Sequence, residues 1–154
     1  MNKFMKEAVE EAKKGIQARD GGPFGAVIVK DNKIIAKGHN KVISSHDPTA
    51  HAEIVAIREA CKILQNFDLS GCELYTSCEP CPMCYGAIHW SRISKVYYGA
   101  TRFDAKNIGF DDEYIYEVLS GNITDKQMKM ENIDRNQCLE VFKTYIKDDK
   151  RKAY

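Results

Sequence analysis

The sequence predicts one α/β domain in three layers, with a five-stranded mixed sheet held between helices, and three observations carry that expectation. Apolar positions alternate along the chain between helical spacing and short uninterrupted runs, the pattern of helices and buried strands taken in turn. Glycine, proline, asparagine and aspartate gather at the changeovers. With 154 residues, 44% hydrophobic and 29% charged, the chain has material for one core and too little for two.

Phe4, Ala8, Val9, Ala12 and Ile16 recur at helical spacing between charged positions, so a helix opens the chain and stops near Asp20-Gly21-Gly22-Pro23. Residues 26–29 and 34–38 are apolar runs around Asp31-Asn32 and read as a β-hairpin. Residues 39–47 are polar and loop-like. Asp47-Pro48 then places a capping carboxylate before a proline suited to the first helical position, and a helix follows through Ala50, Ile54, Ile57, Ala60, Cys61 and Leu64. Residues 72–76 form a third strand, the cysteine-rich stretch opens a helix ending near Arg92, and residues 96–100 form a fourth strand. On that helix, His89 and Trp90 are packing or subunit-contact residues. Residues 101–112 lack a clean period, contain Gly109 and read as a loop long enough to line a site. A short helix covers 113–119, ended by Gly121, and residues 127–131 read as a fifth, edge strand. Cys138, Leu139, Phe142, Tyr145 and Ile146 mark the apolar face of a last helix. Crossovers through the two central helices make most strands parallel where they pass the site.

Lys and Arg number 23 against 22 acidic residues, a formal net charge of +1. That balance excludes a strongly basic polyelectrolyte binder and lends no support to a nucleic-acid partner. No apolar run approaches the roughly 20 residues needed to cross a bilayer. The first residues read straight into a charged amphipathic pattern without the apolar core of a secretory signal, so a cytoplasmic protein with no membrane partner is expected.

The six cysteines stand at 61, 72, 78, 81, 84 and 138, three of them within seven residues, which favours a metal cluster over disulfides. In Pro80-Cys81-Pro82-Met83-Cys84, the two cysteines lie three apart at a predicted helix start and can turn both sulfurs to one point. Helix N-terminal amides favour the thiolate, the form that ligates metal. His51, in the first turn of the preceding helix, reaches the same sheet end if the strands are parallel. Two thiolates and an imidazole suit one tetrahedral Zn²⁺ with its fourth position left to water, whose pKa falls to about 7. Glu53 points away from the metal and is placed to move protons between water and substrate. Its alternative is a helix-start carboxylate interacting with the dipole. Cys78 is left open as a fourth ligand, which would make a closed structural centre or an iron–sulfur site. Cys61, Cys72 and Cys138 are read as core thiols.

His51-Ala52-Glu53 and Thr76-Ser77-Cys78-Glu79-Pro80-Cys81-Pro82-Met83-Cys84 resemble the zinc-dependent cytidine and deoxycytidylate deaminase superfamily, whose H-x-E and P-C-x-x-C elements they reproduce. Within it, Gly109-Phe110-Asp111-Asp112 and the closing Tyr154 are most similar to the short bacterial guanine deaminases. The resemblance implies a three-layer cytidine-deaminase-like fold and hydrolysis of guanine to xanthine and ammonia with Glu53 catalytic. It also implies that Asn40 binds the base edge and that Asp112 accepts N–H groups of the base. From its chemistry, Phe24 is expected to stack on the ring. By the same resemblance residues 1–154 form a single deaminase domain in a homodimer, the C-terminal tail crossing over so that Tyr154 completes the neighbouring site. Alternatives are a cytosine, cytidine or tRNA adenosine deaminase, and a non-enzymatic zinc-stabilised binding module.

Overall fold

The computed structural model describes residues 1–154. Their order is α1 (Lys3–Ala18), β1 (Gly25–Lys30), β2 (Lys33–His39), α2 (Ala52–Leu64), β3 (Cys72–Cys78), α3 (Pro82–Trp90), β4 (Lys95–Ala100), α4 (Arg102–Asn107), α5 (Glu113–Leu119) and α6 (Arg135–Lys147). Packing divides the chain into two compact units, Met1–Tyr116 and Glu117–Tyr154. No helix is long and apolar enough to cross a membrane.

The first unit is built on a four-stranded sheet in the order β2-β1-β3-β4. β1 pairs antiparallel with both β2 and β3, and β3 pairs parallel with β4. β2, β3 and β4 therefore run in one direction and β1 against them. The expectation of mostly parallel strands holds in direction, although β3–β4 is the one parallel pairing. Asp31 and Asn32, at φ 48° and 60°, turn the β1–β2 hairpin in the left-handed region that such two-residue turns require.

β1 is covered on both faces. Ala26 and Ile28 join Leu74 beneath α2 and α3, with Ala52, Ala56, Ala60 and Ile88. Val27 and Val29 join Tyr75 beneath α1, with Phe4 and Ala8. Alternate side chains of one strand thus feed two cores, which is the three-layer architecture expected. Each fully buried Ile, Leu or Val contributes about 1.5–3 kcal/mol of transfer free energy. Glycines let the helices approach: a Cβ on Gly25 would run into the α1 backbone at Ala8 and Ala12, and one on Gly38 would stand 2.7 Å from the Ala52 carbonyl oxygen in α2.

The expected fifth strand does not form, and the sheet has four strands. Within residues 127–131, Asp125 Oδ1 accepts the backbone N–H groups of Gln127 and Met128 at 2.9 and 3.0 Å, donors a ladder would need. Met128 and Met130 are exposed, so strand pairing there would bury nothing. Residues 101–112 are not all loop: Thr101 and Asp104 close a capping box over α4. α2 starts later than the Asp47-Pro48 pair suggested, because Asp47 Oδ1 accepts from Thr49 N (2.8 Å) and Thr49 Oγ1 (2.6 Å) in a turn of its own. Cys72 is buried and Cys61 half-buried as core thiols, but Cys138 is exposed on α6. In the second unit α6 also exposes Val141, Phe142 and Ile146.

α1 buries Glu11 in place of Ile16, which is 51% exposed. Glu11 accepts from Lys14 Nζ at 2.7 Å and lies 3.3 Å from His39 Nδ1, while His39 Nε2 lies 2.7 Å from Asp20. Burial pushes the Glu11 carboxyl up, but hydrogen bonds from Lys14 and His39 outweigh it and hold the group below its usual range. A carboxylate lowered by folding adds stability that is present above its unfolded pKa and lost as pH falls through the folded one. Glu11→Gln, which removes the charge and one of the two acceptor oxygens, is expected to cost about 1–3 kcal/mol at pH 7 and to flatten the fall in stability below pH ~5. Urea unfolding of both proteins across that range measures the difference, and parallel acid limbs would remove the assigned role.

Candidate metal centre

Because β2 and β3 run the same way, the segments that leave their carboxyl ends open α2 and α3 at one end of the sheet. His51 is the N-cap of α2 and Cys81 the N-cap of α3, with Pro82 opening the helix behind it. Cys84 follows one turn on and is fully buried. His51 Nδ1 stands 3.4 Å from Cys81 Sγ and 3.6 Å from Cys84 Sγ, and all three donor atoms lie within 4.8 Å of one another. Tetrahedral zinc with Zn–S of about 2.3 Å and Zn–N of about 2.0 Å needs S···N separations near 3.5 Å. The donors fit the ion both in kind and in spacing.

Charge at the site suits a cation. A hydrogen bond with Cys84, opposed by burial and aided by His51, holds the Cys81 thiol well below the usual thiol range, toward the thiolate form that ligates metal. Cys78 does not join the cluster. Its thiol donates to the Thr101 carbonyl at 3.6 Å, and burial pushes it up to about 11. The fourth position of a tetrahedral ion is therefore left to a non-protein ligand, which removes the closed four-ligand alternative.

Glu53, in the first turn of α2, is buried beside the donors. Oε1 accepts from Thr76 Oγ1 at 3.0 Å and Oε2 lies 3.4 Å from Cys84 Sγ. Burial raises its carboxyl above the ordinary range. Thr76, fully buried on β3, has no spacing or composition signal that marks it in the sequence, yet its hydroxyl fixes the glutamate rotamer.

The donors open into a cavity of about 580 Å³, a size that suits a small planar ligand. Phe24, Asn40 and Asp112 all line it with His51, Glu53 and Cys81. Asn40 is buried and its Oδ1 accepts from Val42 N at 3.1 Å, which fixes which way the amide points. Asp112 gives its carbonyl to Ile115 N and Tyr116 N, while the side-chain cap at this turn comes from Asp111, whose Oδ1 accepts from Glu113 N at 3.0 Å. The Asp112 carboxylate is thus not spent on capping, and burial, followed by the Cys81 thiolate, raises it. Phe110 meets Phe24 edge-on, centroids 4.9 Å apart. Phe110, Glu79 and Arg102 also line the wall; Glu79 and Phe110 lie within the motifs quoted above without a role of their own, and Arg102, at the start of α4, carried no sequence signal. Tyr154 belongs to the C-terminal unit, where it is 76% exposed.

An α/β/α fold carrying such a three-donor zinc centre beside a buried glutamate defines a zinc-dependent aminohydrolase. The sequence profile of the cytidine and deoxycytidylate deaminase zinc-binding region matches residues 1–100. Guanine deaminase from Bacillus subtilis (strain 168) is 48% identical over 98% of this chain and 97% of its own. A tRNA-specific adenosine deaminase from Aquifex aeolicus (strain VF5) is 40% identical over 94% and 92%. The X-ray structure of guanine deaminase from B. subtilis superposes with a TM-score of 0.94 at 47% identity, covering 100% of this chain and 99% of that one. The chain belongs to the cytidine and deoxycytidylate deaminase family.

Removing a true ligand and removing the bystander thiol separate the two kinds of cysteine. Cys81→Ser is expected to lose the bound zinc, whereas Cys78→Ala retains about one equivalent, as read by metal analysis of the purified proteins. Equal zinc loss from both would restore Cys78 to the ligand set.

Proposed function

We propose that this protein is a guanine deaminase, hydrolysing guanine and water to xanthine and ammonia. The observation that carries the reading is the full-length likeness to the B. subtilis guanine deaminase structure, at a TM-score of 0.94. A structure from the tRNA:A34 deaminase studies matches 64% of the chain at 0.61. The formal charge of +1 also favours a small base over a polyanion.

His51, Cys81 and Cys84 would hold the zinc ion, which would supply a water activated to a pKa of about 7. Glu53 takes a proton from the attacking water, delivers it to N3 of the base, and assists departure of the 2-amino group as ammonia. Its burial and the Thr76 hydrogen bond keep the carboxylate in one place between these atoms. Asp112, an acceptor-only group, receives N–H donors of guanine, and Asn40 binds the base edge through its oriented amide. Phe24, braced by Phe110, covers the ring face and excludes water.

Residues 1–154 act as one deaminase domain in a homodimer, with Tyr154 of each tail completing the neighbouring site. Support comes from the apolar residues that α6 leaves exposed, Val141, Phe142 and Ile146, a surface suited to a protein contact. His89 and Trp90, both exposed on α3, remain candidates for subunit contact.

Ammonia release from guanine, cytosine, cytidine and adenosine by zinc-replete protein tests the substrate. Guanine is expected to be the preferred substrate, and Glu53→Gln to keep its zinc while losing about 10²–10⁴-fold in kcat. Silence with guanine would overturn the assignment, and full activity in Glu53→Gln would overturn the role of that carboxylate. Deleting Ala153-Tyr154 should lower kcat/KM for guanine without moving the melting temperature, and unchanged kinetics would defeat the tail's role.

A further inference from the structure

Arg102 differs from the other charged groups around the cavity. It begins α4, and its backbone N–H donates to Glu79 Oε2 at 2.9 Å. The guanidinium lies 4.3 Å from the centroid of the Tyr116 ring and 4.9 Å from that of Phe103. Tyr116 is itself anchored, donating its hydroxyl to the Pro80 carbonyl at 2.8 Å. Arg102 is the sole Lys or Arg lining a cavity that also carries Glu79, Asp111 and Asp112. None of the three forms a contact ion pair with it: Asp111 lies 3.5 Å from Lys106, Glu79 takes the backbone N–H, and Asp112 feels the guanidinium only as a through-space charge that lowers its carboxyl. The planar fork is therefore held by aromatic faces, and its N–H donors are not consumed by a carboxylate.

Resting on the guanine reading above, we propose that Arg102 is a specificity residue that recognises the 6-oxo edge of the purine, donating paired N–H groups to O6 and N7. The chemistry of the base calls for such a group. Asp112 can answer only the donors of guanine, whereas O6 and N7 are adjacent acceptors whose spacing matches a guanidinium fork. A lysine carries the charge without the fork. A 6-amino purine puts a donor where O6 stood, so one arginine N–H meets a like group and loses its partner while N7 still accepts the other. One bidentate contact of this kind discriminates by about 10- to 100-fold.

Guanine and 2,6-diaminopurine both carry the 2-amino group that the site would release, and differ at position 6. Their kcat/KM values, from ammonia release by zinc-loaded protein, are to be compared for the unaltered enzyme, Arg102→Met and Arg102→Lys. Arg102→Met is expected to lose about 10- to 100-fold with guanine and to change little with 2,6-diaminopurine, so the preference collapses. Arg102→Lys is expected to resemble Arg102→Met, because the lost element is the fork. Zinc content and melting temperature show that each variant is folded, and the lysine variant keeps the test alive if the methionine one is not. A guanine-active enzyme whose variants keep the original preference overturns this inference alone, as does full recovery by lysine. An unaltered enzyme that releases no ammonia from guanine overturns the functional reading, and this inference with it.

Discussion

The chemistry of this protein depends on a separation of about 3.5 Å between one imidazole nitrogen and two sulfurs. Those atoms are supplied by residues 30 and more positions apart, on the heads of two different helices. They meet because β2 and β3 leave the sheet in the same direction, and β1 lies antiparallel between them. Reversing either strand would carry one helix start to the far end. The strand directions are thus a precondition for the metal, and the metal for any hydrolysis.

Around that centre, burial is spent unevenly. Cys84 and Glu53 are enclosed, and Thr76 holds the glutamate in a single orientation. The cavity wall instead uses paired supports: Phe110 against Phe24, Tyr116 beneath Arg102, Asp111 relieving Asp112 of the capping role. Each support fixes a side chain that lines the cavity: a ring face at Phe24, a guanidinium at Arg102 and a carboxylate at Asp112. Preorganisation of this kind lets a small cavity discriminate between bases that differ by one substituent.

Much of this was legible along the chain. The hairpin at Asp31-Asn32 is a two-residue turn written in the residue types that tolerate positive φ. Cys81-Pro82-Met83-Cys84 announces a helix start carrying two sulfurs on one side. Other features were hidden by competition between local and tertiary terms. Asp47-Pro48 has the composition of a helix cap, but Thr49 captures its carboxylate and α2 waits until Ala52. Residues 127–131 alternate like a strand, but Asp125 takes their N–H groups and no apolar layer receives Met128 and Met130. Ile16 fits the apolar period of α1, but Glu11 is the residue buried, because Lys14 and His39 satisfy it there.

By itself the sequence determined the layer order and put forward Cys81 and Cys84 as a sulfur pair with His51 and Glu53 as their partners, since three-residue spacing at a helix start turns two sulfurs to one point and a soft divalent cation favours thiolate and imidazole. Tertiary structure decided that Cys78 turns to the Thr101 carbonyl, that the sheet stops at four strands, and that Arg102 rests on two rings at the cavity wall. Those outcomes are set by which distant backbone or ring a side chain meets once the layers have packed, and no local period records that.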